Sequence, residues 1–210
     1  AYQLSKRGAG SILLLDGNDI ASQASSRAAC LLTRARTKPG LMELVQETYD
    51  CISEIETLLG ESLELQECGS ITIASSDASL KEVEALEKAA NSFGIPNERI
   101  DRKRTAELLP WIDADAVDVA LYMPTDAFID SAMLCNGYAK AAAVNGVDVR
   151  PKSKVKEICV DAGRVSGVRL VDGTEFSAPV VVNAAGAWAN LLMRPLGVGL
   201  PFTPVRSHFW

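Results

Sequence analysis

A helix end, a glycine, an apolar strand and an acid follow one another at the start of the chain, and that order leaves few folds open. Ala1-Tyr2-Gln3-Leu4-Ser5-Lys6-Arg7 reads as the last turns of a helix, with Gly8 available as its C-terminal cap. Ser11-Ile12-Leu13-Leu14-Leu15-Asp16 then reads as a buried strand ending in a carboxylate. Together they form the second half of a βαβ dinucleotide-binding unit. In such a unit an acid about 20 residues beyond a Gly-x-Gly-x-x-Gly turn accepts the ribose hydroxyls of an adenosine. Counting back from Asp16 places that turn ahead of Ala1, and the chain contains no Gly-x-Gly-x-x-Gly. Without its neighbours, Leu-Leu-Leu-Asp reads as an ordinary buried strand meeting solvent.

Composition narrows the classes further. With 210 residues, 48% of them hydrophobic and 23% charged, the chain can bury a substantial core in one or two domains. Its net charge of −6 argues against nucleic acid as a partner, because a phosphate backbone needs clustered cations. The dense basic run Arg102-Lys103-Arg104 lies between Asp101 and Glu107 and reads as a solvated helix start or, alternatively, a polyanion contact. Cys30, Cys51, Cys68, Cys135 and Cys159 show no Cys-x-x-Cys pairing and no neighbouring histidine, so no metal site is expected. Scattered free thiols fit a reducing compartment. With no signal peptide and no apolar run long enough to cross a bilayer, a cytoplasmic protein without an integral membrane segment is expected. The start at Ala1 and the apolar end at Phe209-Trp210 are those expected of a chain cut at both ends.

The middle of the chain has clear punctuation. Pro39 suits a first helical turn, Leu41, Leu44, Val45, Thr48, Ile52, Ile55 and Leu59 recur at helical spacing, and Gly60 closes the run. Glu67 to Ala74 alternates as a half-buried strand, and Ser79-Leu80-Lys81-Glu82 predicts a capping box for a helix reaching Phe93-Gly94. A short helix follows to Leu109, then a strand over Val119–Pro124. Asp130, at the end of Thr125-Asp126-Ala127-Phe128-Ile129-Asp130, reads as the N-cap of a helix continuing to Asn145-Gly146 rather than as a catalytic acid. Beyond Val147 the pattern is a strand and then a meander, with turns at Ala162-Gly163 and Asp172-Gly173.

Near the end, Pro179-Val180-Val181-Val182-Asn183 reads as a buried strand running into Ala184-Ala185-Gly186-Ala187-Trp188-Ala189, small residues that let a flat or phosphorylated group approach the backbone. The segment Ile20 to Leu32 is too polar for a strand and too weakly periodic for a surface helix. It reads as a Ser/Ala loop opening a helix, or as one placed against a ligand.

Val-Val-Asn-Ala-Ala-Gly-Ala-Trp resembles the strand-to-loop segment of the D-amino-acid oxidase-like superfamily of flavoproteins, which includes glycine oxidase, sarcosine oxidase and dimethylglycine dehydrogenase. Asp16, the Ser/Ala loop, the Asp126 to Asp130 crossing and the strand at Val155 match the same superfamily in order and spacing, so the resemblance covers nearly the whole chain. It implies an α/β fold: a Rossmann-like doubly wound sheet for FAD with an interleaved mixed α+β substrate domain. The cofactor domain would hold residues 1–60 and 131–195, without its first strand and glycine turn, and the substrate domain 61–130 and 196–210.

The resemblance also implies the site. Asp16 and Gly17 would take the adenosine ribose, and Val155 the adenine through its backbone. Ala24, Ser25, Ser26, Arg27, Ala29, Cys30 and Leu31 would pass beneath the diphosphate and along the flavin ring, with Ser25 and Ser26 donating to phosphate oxygens and Arg27 adding a charge. Ala185 and Gly186 would permit close approach from the other side. Many members carry Gly where this chain has Cys30, so a thiol there crowds or touches the flavin unless it serves as a packing residue.

The implied reaction oxidises the C–N bond of an amino acid or N-methylated amine of the glycine, sarcosine or D-amino-acid type. Hydride passes to the flavin, and oxygen or a protein or quinone acceptor takes the electrons. Two alternatives stay open: a FAD-binding subunit of a multi-subunit amine dehydrogenase that passes electrons to a partner, or an inactive fragment without FAD. Arg206 and His208 are the nearest candidates for a substrate clamp. A lone His on an aromatic strand reads as structural, and no catalytic residue is assigned. Lacking the glycine turn, the isolated chain is expected to bind FAD weakly at most.

Overall fold

The computed structural model describes residues 1–205. In chain order the helices are α1 (Tyr2–Lys6), α2 (Pro39–Leu59), α3 (Asp77–Ser92), α4 (Arg102–Leu108), α5 (Ser131–Val144) and α6 (Ala189–Met193). The strands of the first half are β1 (Leu13–Leu15), β2 (Leu31–Leu32), β3 (Gln66–Glu67), β4 (Ser70–Ala74), β5 (Glu98–Ile100) and β6 (Val119–Met123). Those of the second are β7 (Ala127–Phe128), β8 (Asp148–Arg150), β9 (Val155–Asp161), β10 (Arg164–Leu170) and β11 (Glu175–Ser177). They form two compact units, one of Ala1–Ala29 with the chain from Cys135 onward, the other of Cys30–Leu134.

The first unit is built on parallel pairing of β1 with β8, Leu13 opposite Asp148 and Leu15 opposite Arg150. Parallel strands need a long crossover between them, and here nearly the whole second unit lies inside that connection. Gly8, at φ +67, ends α1 as its position suggests, and the Tyr2 ring meets Tyr138 of α5 edge-on at 5.8 Å. Beyond β8, β9, β10 and β11 form an antiparallel meander with its two turns at the expected glycines. Alternation puts Ile158, Val168 and Leu170 on its buried face.

The second unit centres on the antiparallel sheet β4-β6-β5. Helix α3 buries Val83 and Ala90 among Ala74, Leu121 and Met123, while Ile100, Val117 and Ala120 form a second cluster. Helix α2 begins at Pro39, ends on Gly60 at φ +65 and buries Ile52 and Ile55 completely enough to contribute about 2 kcal/mol each. A small sheet of two-residue strands, β2-β7-β3, completes the unit.

Several elements differ from expectation. Pro179 to Asn183 is not a buried strand: Val180 is 74% and Val182 71% exposed. A β-branched run becomes a strand only where a neighbouring edge takes its N–H and C=O groups, and no strand pairs with this run among the described residues. The single strand expected from Glu67 to Ala74 is two strands in different sheets, because Gly69 at φ +74 turns the chain between them. The capping box starts at Ser76, with Ser79 as the reciprocal partner in place of a Glu, so α3 begins at Asp77. Strand β5 begins with the exposed pair Glu98 and Arg99 and lacks the apolar alternation that would announce it.

Gly167 is closely surrounded. At φ +153 it sits beside an irregularity in the β9–β10 register, and a Cβ there would lie 2.0 Å from the Phe176 carbonyl oxygen. Gly167→Ala is therefore expected to destabilise the fold by about 3 kcal/mol. Gly163→Ala, at φ +77 but with open space around it, should cost only about 1 kcal/mol. Urea unfolding followed by circular dichroism measures both, and equal costs would contradict the packing argument.

Candidate cofactor site

Asp16 is placed by the β1–β8 ladder. Its N–H donates to the Arg150 carbonyl at 3.1 Å, and its carbonyl accepts from Ser153 N–H at 2.7 Å. These bonds carry the pairing one residue past the strand ends and bring the chain at Lys154 back to Gly17. A Cβ on Gly17 would lie 3.4 Å from the Lys154 side chain and 3.6 Å from its Cα, so the glycine permits this approach without a pocket of spare space. Val155 follows directly as the first residue of β9, opposite Leu170. The structure therefore brings Asp16, Gly17 and Val155 together. The half-buried Asp16 carboxylate accepts from Asn18 N–H through Oδ1 at 2.9 Å, and Oδ2 has no hydrogen-bond partner among the described residues.

The loop from Ala24 to Ala29 is exposed along its length and contains a 3₁₀ turn at Ser25–Arg27. Its described bonds close within the loop: Ser26 N–H donates to Ala21 O at 3.1 Å, and the Ser26 hydroxyl donates to Gln23 O at 3.1 Å. The expected donation from Ser26 to a phosphate oxygen would therefore replace its bond to Gln23 O, since the hydroxyl has one hydrogen and phosphate oxygens only accept. Ala185 and Gly186 form a second local turn, Ala185 N–H donating to Asn183 Oδ1 at 3.2 Å and Ala185 O accepting from Trp188 N–H at 3.0 Å. Gly186 adopts φ +52 with nothing within 4 Å of the position a Cβ would occupy.

Cys30 and Leu31 open the second unit. Cys30 has φ +63, the left-handed conformation that glycine adopts freely and other residues at a cost. Its carbonyl accepts from Ile129 N–H at 3.1 Å, and its sulfur lies 3.5 Å from the Ser131 hydroxyl. Leu31 is 61% exposed and pairs with Phe128. Asp130 caps α5, accepting from Ala132 and Met133 N–H at 2.8 and 3.0 Å. Arg206 and His208 lie outside the described residues. Among the described residues no group of His, Cys, Asp or Glu is arranged to hold a metal ion.

Sequence reasoning missed a buried polar cluster a few residues beyond Cys30. Asp126, 2% exposed, accepts from Arg34 N–H at 2.7 Å and from the Ser70 hydroxyl at 2.6 Å. The Arg34 guanidinium lies 3.5 Å from the Tyr49 ring centre, bonds the Thr125 carbonyl at 3.0 Å and reaches Glu67 at 3.0 Å. The Tyr49 hydroxyl donates to Leu32 O at 2.6 Å. The signal available in the sequence was an acid directly before the apolar run Ala127-Phe128-Ile129, because a buried carboxylate requires donors.

Burial pushes the Tyr49 phenol from 10.0 up to about 12, opposed by Arg34 and reinforced by Asp126 and Glu67. The folded chain therefore keeps this proton after the unfolded chain has lost it. The stability linked to Tyr49 should be intact below pH 10.0 and be lost as pH rises through about 12. Urea unfolding at increasing pH should show this decline, and Tyr49→Phe should lack it while costing about 1 kcal/mol at neutral pH for the lost Leu32 bond. An identical alkaline profile in the variant would refute the assignment.

Known proteins place this geometry in a family. The mouse mitochondrial pyruvate dehydrogenase phosphatase regulatory subunit is 30% identical over 189 residues, covering 90% of this chain and 21% of that protein. Human mitochondrial sarcosine dehydrogenase is 31% identical over 214 residues, covering 99% of the chain and 23% of the enzyme. The chain thus spans under a quarter of the length of either relative. Among solved structures, glycine oxidase from Geobacillus kaustophilus matches with a TM-score of 0.78 at 25% identity, over 95% of this chain and 55% of the oxidase. It supports the mixed α/β architecture, with its parallel and antiparallel sheets. No helix among the described residues is long and apolar enough to cross a membrane. The family model described as FAD dependent oxidoreductase matches residues 1–210, and the chain belongs to that family.

Proposed function

We propose that this chain contributes the adenosine side of an FAD site in an oxidoreductase acting on the C–N bond of an amino acid or N-methylated amine. The observation that carries the reading is Asp16: a half-buried carboxylate at the end of a parallel strand, one oxygen without a partner among the described residues, with Gly17 and the start of β9 closing beside it. A vicinal diol is the ligand group that such a carboxylate recognises, since both hydroxyls can donate to it. The residues therefore fit the adenosine end of FAD.

In this reading Asp16 holds the ribose, Gly17 keeps the strand end open, and the extended backbone at Val155 faces the adenine. Ser25, Ser26 and Arg27 attend the diphosphate, with Ala24 and Ala29 as small neighbours. Ala185 and Gly186 leave room for a flat group, because nothing occupies the space above Gly186. Cys30 and Leu31 continue the same stretch along the flavin. When bound, FAD supplies the two-electron acceptor for C–N oxidation. Residues 1–60 and 131–195 carry the cofactor role, and 61–130 and 196–210 the substrate role. Glycine, sarcosine and D-amino acids are the substrate types proposed, with oxygen or a protein or quinone acceptor taking the electrons. A reducing compartment, the cytoplasm, fits five cysteines none of which forms a disulfide.

The likeness to a protein named as a phosphatase regulatory subunit favours a second reading, in which the fold serves a larger assembly. A flavin reduced by substrate that reacts slowly with oxygen but rapidly with a dye would point to that use.

Titrating the 210-residue chain with FAD and with FMN, following flavin fluorescence, tests the cofactor reading. Weak, saturable binding of FAD in preference to FMN is expected, since FMN lacks the adenosine. Asp16→Ala should lower FAD affinity about tenfold and leave FMN affinity unchanged. Equal affinity for the two flavins would refute the role of Asp16.

A further inference from the structure

The segment that leaves the Ser/Ala loop is held by very little regular structure. Strand β2 has two residues, Leu31 and Leu32, and its partner β7 has two. So short a ladder cannot by itself fix the position of a chain. At one end of β2, Ile129 N–H donates to Cys30 O. At the other, the bond comes from a side chain: Asp126 Oδ1 accepts Arg34 N–H at 2.7 Å. The second oxygen of that carboxylate accepts the hydroxyl of Ser70 at 2.6 Å.

Ser70 is the first residue of β4, opposite Met123 of β6, in the larger sheet of the second unit. Asp126 therefore links a two-residue strand to a well-packed one. Its main chain joins in, since Gly69 N–H donates to Asp126 O at 2.8 Å. Arg34 grips the same crossing through Nε, which donates to Thr125 O.

The residue type is informative. Burying a carboxylate is costly, and here two neutral donors and the nearby Arg34 guanidinium offset that cost. A carboxylate does one thing that the isosteric amide cannot: it accepts on both oxygens, here from donors on two separate elements. Asparagine would turn its NH₂ toward one of those donors.

We propose that Asp126 is a positioning residue for the cofactor segment, its carboxylate fixing Cys30–Leu32 against the β4–β6 sheet and so setting where the chain runs along the flavin. The link to flavin rests on the function proposed above; the placement of the segment does not. Loss of the carboxylate frees Arg34 N–H and lets the two-residue strand move, while the sheet that carries Ser70 stays paired.

Amide hydrogen exchange on the full chain, with and without FAD, tests both parts. Asp126→Ala should speed exchange at Leu31–Arg34 about tenfold without changing β4 and β6, with Asp126→Asn intermediate and Ser70→Ala weaker in the same direction. With FAD present, Asp126→Ala should also shift the visible flavin band and weaken binding about tenfold, and Asp126→Asn should recover part of both. Unchanged exchange at Leu31–Arg34 would overturn the proposal, as would faster exchange with an unaltered flavin band and affinity. If Asp126→Ala does not fold, Asp126→Asn and Ser70→Ala decide by the same criteria. Should the unsubstituted chain bind no FAD, the exchange pattern alone decides whether Asp126 places the segment.

Discussion

Three residues of parallel pairing, Leu13–Leu15 on Asp148–Arg150, hold the first unit together. The Asp16, Gly17 and Val155 corner of the candidate site depends on this register. The ladder extends through Asp16 N–H to Arg150 O, returns through Ser153 N–H to Asp16 O, and delivers Lys154 and Val155 beside Gly17. A slip of one residue would turn Asp16 to the opposite face and separate the carboxylate from β9. The pairing is non-local, so its loop-closure entropy is set against the packing of α1, α5 and the meander.

The second unit solves a related problem with side chains. Its small sheet has too few main-chain bonds to define a path, and the buried group formed by Asp126, Arg34, Ser70 and Tyr49 supplies the missing constraints. These bonds run in several directions from one place, so the crossing is specified in three dimensions rather than along one ladder. Polar groups buried in this way contribute to uniqueness of structure more than to net stability.

Legibility in the sequence followed the physics of each element. Helix α2 was readable because Pro39, the apolar spacing and Gly60 are local signals, and Asp130 was readable as a cap for the same reason. Asp16 was readable because a strand-ending acid after a helix and glycine has a defined partner chemistry. The run at Val180–Val182 misled because side-chain preference for a strand says nothing about whether an edge is available to pair with it. Ser79 was misplaced by three residues because a serine can take the reciprocal role usually held by Glu. The Asp126 cluster escaped notice since its members, at 34, 49, 70 and 126, come together only through the tertiary fold. The glycine preference expected at Cys30 acquires a backbone explanation in its φ of +63, independent of any ligand.

The exposed valines carry a different consequence. A β-branched stretch with Val180 and Val182 largely open to solvent exposes apolar side chains, and no strand pairs with it among the described residues. That combination is a template for strand addition from a second molecule, and neither valine is flanked by a charged residue from Ala178 to Ala189 that would oppose it. The net charge of −6 opposes self-association of this chain only diffusely, with no charge placed on the valine-rich stretch itself.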